Sequence, residues 1–124
     1  MHILFIFILL ISISGCQKKR IYPYQSFSLE FNQKAKLKFW NNNAELQFVK
    51  LLEDSRCPPD SQCVTFGGVA VQLSVDGELV NIGLNHQYAS FAELNGLNIE
   101  LYDVYYRNKD YGIESSYIVR MMVY

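Results

Sequence analysis

The chain has 124 residues, a formal net charge of −1, and 11 basic against 12 acidic side chains. That length suits one domain, and a charge this balanced sets nucleic acid aside as a partner class. Half of the residues are hydrophobic and 15 % are aromatic, with nine tyrosines, a composition that favours strands.

From His2 to Ile13 the chain is almost wholly Ile, Leu and Phe. As helix this run spans roughly 18 Å, short of the ~30 Å hydrocarbon core of a bilayer. It therefore fits the apolar region of a signal peptide better than a transmembrane anchor. The residues that follow, Ile13-Ser14-Gly15-Cys16, resemble the lipobox of bacterial lipoproteins, in which an aliphatic and two small residues precede an acylated cysteine. The resemblance implies cleavage before Cys16, lipid on Cys16, and an address in the bacterial cell envelope. Two or three acyl chains hold a domain at a membrane permanently, whereas one anchors only marginally. Lys18, Lys19 and Arg20 would then lie beside the headgroups and add a weak attraction to anionic lipid. No acidic run follows Cys16, which points to the periplasmic side of the outer membrane. The expected organisation is a signal peptide over 1–15, a lipidated tether over 16–26, and a single β-sandwich domain over 27–124.

Period-two alternation governs the rest. Phe27, Leu29 and Phe31 alternate with polar neighbours, as do Leu37 and Phe39, then Ala44, Leu46 and Phe48. Val69 to Val75, Leu97 to Leu101 and Tyr117 to Val123 repeat the pattern. Ala89 to Leu94 is at most one helical turn. Asp76-Gly77 and Asn95-Gly96 each sit between apolar-bearing strands, the strongest short hairpin signal. Asn41-Asn42-Asn43 and Asn108 to Gly112 read as further turns. The pattern predicts an all-β chain of seven to nine short strands, an antiparallel sandwich (immunoglobulin-like) or a small barrel. Ile118 and Met122 interrupt the polar face of the last strand, as in a central strand covered on both sides.

The segment Glu53-Asp54-Ser55-Arg56-Cys57-Pro58-Pro59-Asp60-Ser61-Gln62-Cys63 carries the densest chemistry. In an exported chain whose third cysteine takes lipid, Cys57 and Cys63 can pair only with each other inside the molecule. Pro58-Pro59 stiffens their loop further. Gly67-Gly68 marks a bulge or a tight entry into the next strand. The run D-S-R-C-P, a second cysteine, then an aliphatic residue and a glycine resembles a group of small, largely uncharacterised bacterial lipoproteins and secreted proteins. Their usual form has a tryptophan after that aliphatic residue, where this chain has Thr65 and Phe66 between Val64 and Gly67. The resemblance spans Leu51 to about Val75 and implies an all-β domain with a disulfide. It carries no activity.

Asp54 and Arg56 are expected to brace the loop by hydrogen bonds to its backbone. Glu53 and Asp54, adjacent on a strand, point to opposite faces. His86, the one histidine after the signal peptide, reads as an exposed loop residue. No serine has a nucleophile-elbow pattern around it, so no catalytic residue is assigned. Two thiols in an oxidising compartment form a disulfide in preference to a metal site, so no metal or cofactor is expected. Tyr102, Tyr105, Tyr106 and Tyr111 lie near one hairpin and suit either packing or a contact surface. Two functional classes follow. The first is a membrane-tethered, non-enzymatic binding or scaffold module whose partner is an envelope protein or a glycan, marked by an exposed aromatic patch. The alternative is a small envelope enzyme or a redox or metal protein that uses Cys57, Cys63 or His86 in a concave site with acidic partners.

Overall fold

The computed structural model describes residues 19–39 and 42–124. The lipobox, Cys16 and Asn41 of the expected Asn turn lie outside them. Among the described residues the chain forms nine strands: β1 (Lys19–Ile21), β2 (Ser26–Glu30), β3 (Lys34–Phe39), β4 (Asn42–Asp54), β5 (Val69–Val75), β6 (Glu78–Leu84), β7 (Phe91–Leu94), β8 (Leu97–Tyr106) and β9 (Tyr117–Val123). They build two sheets, ordered β1-β3-β4-β5-β6 and β2-β9-β8-β7. The fold is an all-β sandwich.

The alternating residues fill the space between the sheets. Leu37, Leu46, Phe48, Val71 and Leu73 of the first sheet and Leu29, Ile99, Val119 and Met121 of the second are all fully buried. Both Asx-Gly turns adopt positive φ at each central residue, +50° and +83° at Asp76 and Gly77, +52° and +79° at Asn95 and Gly96. These are the primed turns that match strand twist.

Three features depart from the sequence pattern. Lys19–Ile21, expected in the tether, is a strand running parallel to β3, with Ile21 buried. The end of the Ala89–Leu94 segment is strand β7, paired with β8 from Phe91↔Glu100 to Leu94↔Leu97. Finally, the register of β4 against β5 shifts twice, between Phe48 and Lys50 and between Leu51 and Glu53. Strict alternation from Phe48 would turn Lys50 inward. The first bulge instead sets Leu51 opposite the buried Val71 and lets it pack against the core. The second returns Asp54 to the inner side, opposite Val69, and leaves Glu53 facing out. An unpaired lysine in an apolar layer would cost several kcal/mol, on the order of the penalty for any buried unpaired charge, and the paired bulges avoid it.

Candidate functional site

Three chemically distinct regions meet the loops at the end of β4. The first is a polar knot at the base of the disulfide loop. Asp54 Oδ1 accepts from Arg56 Nε at 2.9 Å and Oδ2 from Arg56 Nη2 at 2.9 Å, a two-pronged pair. The Arg56 backbone N–H also donates to Oδ1, at 3.1 Å. Arg56 Nη1 donates to the Val104 carbonyl and the Tyr117 hydroxyl donates to Asp54 Oδ2 at 2.6 Å, so the knot joins the two sheets. Tyr111 donates to the Asp54 carbonyl at 2.6 Å. The Tyr117 hydroxyl in turn accepts from the Gly112 N–H at 3.0 Å. Burial disfavours the charge on Asp54, but the hydrogen bonds from Arg56 and Tyr117 outweigh it and hold the carboxyl below its usual range. The same Asp54 bond raises the Arg56 guanidinium further, against the effect of its burial. Burial, then the bond to Asp54, pushes Tyr117 from 10.0 up to about 12. Asp54 and Arg56 therefore bind each other and the opposite sheet. Tyr117, which completes the knot, gave no signal beyond its place at the start of an alternating strand.

The second region is the loop itself. Cys57 and Cys63 form a disulfide, with S–S at 2.06 Å and their Cα atoms 5.7 Å apart. Ser55 closes the loop below it: its N–H and its hydroxyl donate to the Gly68 carbonyl at 2.9 and 3.1 Å. The same hydroxyl oxygen accepts from the Gly68 N–H at 3.0 Å. Gly67 is required by this closure, because a Cβ there would stand 1.7 Å from the Ser55 carbonyl oxygen. Beyond the disulfide Val64 and Phe66 project into solvent, 103 % and 97 % exposed.

The third region is an open cleft of about 710 Å³, lined by Glu53, Ser55 and Gly68 on one side and by Gly83 to Ser90 on the other. His86 is not the free, exposed loop residue that the sequence pattern predicts. Its side chain is 11 % exposed, its Nε2 lies 2.8 Å from Glu53 Oε2, and its ring stacks on Tyr88 at 5.3 Å and 15°. The Tyr88 N–H donates to His86 Nδ1 at 3.4 Å. In the tautomer whose Nδ1 accepts, Nε2 carries the proton and donates to Glu53. The contact spans 33 residues of sequence, which is why no local pattern announces it. Cys57 and Cys63 are not in the cleft lining.

The four tyrosines divide between two places. Tyr106 packs against Tyr111 and Tyr117, with ring centroids 5.8 and 5.4 Å away. Tyr102 and Tyr105 instead stand exposed on the outer face of the second sheet. There the Tyr102 hydroxyl lies near Glu100 and Met122, and Tyr124 stacks on the exposed Tyr24 at 5.8 Å. Phe91, opposite Glu100, extends the aromatic face toward the sheet edge.

Fold and site together define a small, disulfide-stapled β-sandwich with an aromatic outer face and a polar end cleft. No model of a known protein family, no curated protein and no solved structure matches the chain.

Proposed function

We propose that the chain is an envelope lipoprotein, anchored by lipid on Cys16 to the outer membrane and facing the periplasm, and that it works as a non-enzymatic binding module. The observation that carries the binding role is the outer face of the second sheet. It presents Phe91, Tyr102 and Tyr105 at 40–45 % exposure, interleaved with Glu100 and Arg120. Half-exposed tyrosines beside charged groups of both signs give a partner rigid apolar area and hydrogen bonds at low entropic cost. An envelope protein or a glycan strand fits that chemistry.

Two experiments test the reading. Metabolic labelling with a fatty-acid analogue should mark the wild type, and Cys16→Ser should abolish the label and release the protein from membranes. A photo-crosslinking residue at Tyr102 or Tyr105 should trap a partner in cells, while the same residue at Lys36, exposed on the opposite sheet, should not. Unlabelled wild type, or equal trapping from both sheets, overturns the corresponding half of the proposal.

A further inference from the structure

We infer that the cleft between the base of the disulfide loop and the 85–90 segment receives an ammonium or guanidinium group presented by an apolar segment of a second protein. This inference rests neither on the lipid tether nor on the tyrosine face.

Charge comes first. The lining holds one carboxylate, Glu53, and no lysine or arginine. The His86 imidazole lies against Glu53 Oε2 through Nε2 and takes the Tyr88 N–H at Nδ1. Glu53 is thus the one acidic group of the lining, with no basic chain of lysine or arginine set against it. At 57 % exposure the Glu53 side chain is open to a second donor. A cation reaching it makes a charge-assisted hydrogen bond, and the aromatic ring of Tyr88 in the same wall favours a cation as well.

The walls are set before a ligand arrives. A Cβ on Gly68 would fall 2.0 Å from the Asn85 carbonyl oxygen, and one on Gly83 would fall 2.8 Å from that of Val69 and 2.9 Å from His86 Cβ. Only glycine lets the 85–90 segment lie this close to the strands. The Gly83 N–H donates to the Ala89 carbonyl and the Leu101 N–H to that of Ser90, which fixes the C-terminal end of that segment. A site held in place loses little entropy on binding.

The rim selects what carries the cation. Asn85, in the lining, donates its side-chain amide to the Phe66 and Gly67 carbonyls at 3.4 and 3.2 Å. The Phe66 backbone thus lies beside the lining, and its side chain, like that of Val64, is almost fully exposed. The disulfide and Pro58-Pro59 stiffen the loop that presents them. An acidic cleft beside an apolar rim complements a lysine or arginine next to aliphatic residues, and a free polyamine would leave the rim unused.

The test is an amide chemical-shift titration of the ¹⁵N-labelled full chain in neutral detergent. The probes are n-butylammonium, an acetylated Leu-Lys-Leu amide peptide, and acetate. Both cations should shift Ser55, Gly68 and the 83–90 amides saturably, the peptide at least about tenfold more tightly than butylammonium. Glu53→Gln should weaken the peptide at least about tenfold while the signals of the sandwich core stay in place. Phe66→Ser should weaken the peptide and leave butylammonium unchanged. Tighter binding of acetate than of butylammonium, or unchanged binding by Glu53→Gln, overturns the cation site. Equal affinities for the peptide and butylammonium, with no effect of Phe66→Ser, overturn the protein segment as its source.

Discussion

Neighbouring carboxylates at the end of β4 meet opposite surroundings. The Asp54 side chain is 2 % exposed, held by Arg56 and Tyr117, whereas Glu53, one residue earlier, is 57 % exposed and faces His86 across an open cleft. Side-chain alternation along a strand separates the two. The difference in environment then separates their work. A buried carboxylate with its oxygens bonded to fixed donors stabilises the fold and has little left for a ligand. A carboxylate with one bonded oxygen and solvent before it contributes little to stability and remains available. Stability and recognition are thus divided between adjacent residues of the same charge.

The sharpest way to break this comparison is Asp54→Ala. It strands Arg56 beside the Val104 carbonyl and removes the partner of Tyr117, and truncating one member of a buried pair costs roughly 3–5 kcal/mol. Because Arg56 is 28 % exposed, the lower end of that range is expected in urea unfolding. A loss no larger than that of a surface substitution would show that the knot contributes nothing.

Alkali attacks the same knot through Tyr117. Its folded value of about 12 lies above the ordinary 10.0, so the folded state holds the proton more tightly than the unfolded one. The contribution is complete below pH 10 and is lost as pH rises from there through about 12. Linkage puts the loss at roughly 2–3 kcal/mol. Unfolding followed from pH 9 upward should show that slope in the wild type and lose it in Tyr117→Phe.

Replacing Cys57 and Cys63 together with serine should cost roughly 2 kcal/mol, the loop-closure entropy of so short a ring. The melting temperature should fall while the core amide signals persist, because the buried alternating residues lie in the strands. Collapse of the whole spectrum would mean that the loop nucleates the end of the sandwich.

The smallest expected effect sharpens the contrast most. Glu53→Gln should change stability by no more than about 0.5 kcal/mol, as substitutions of exposed side chains do. If it destabilised the protein as much as Asp54→Ala, the division between the two carboxylates would fail.

By itself the sequence determined the class of fold, most of the strands, both Asx-Gly hairpins and the Cys57–Cys63 bridge. The fold, strands and hairpins rest on local physics, two-residue periodicity and positive φ at Asp-Gly and Asn-Gly, whereas the bridge was read from the expected export of the chain and the lipid expected on its third cysteine. That Glu53 and Asp54 face opposite ways was also legible, since alternation requires it. Only the tertiary structure decided which of them is buried. Two bulges in β4, invisible in a pattern of single residues, keep Lys50 out of the core and bring Asp54 back to it. The meeting of Glu53 with His86 and of Asp54 with Tyr117 joins residues 33 and 63 positions apart in sequence. The pairing of Lys19–Ile21 with β3 was equally hidden. A three-residue strand has too few alternations to announce itself, and only a waiting sheet edge makes it one.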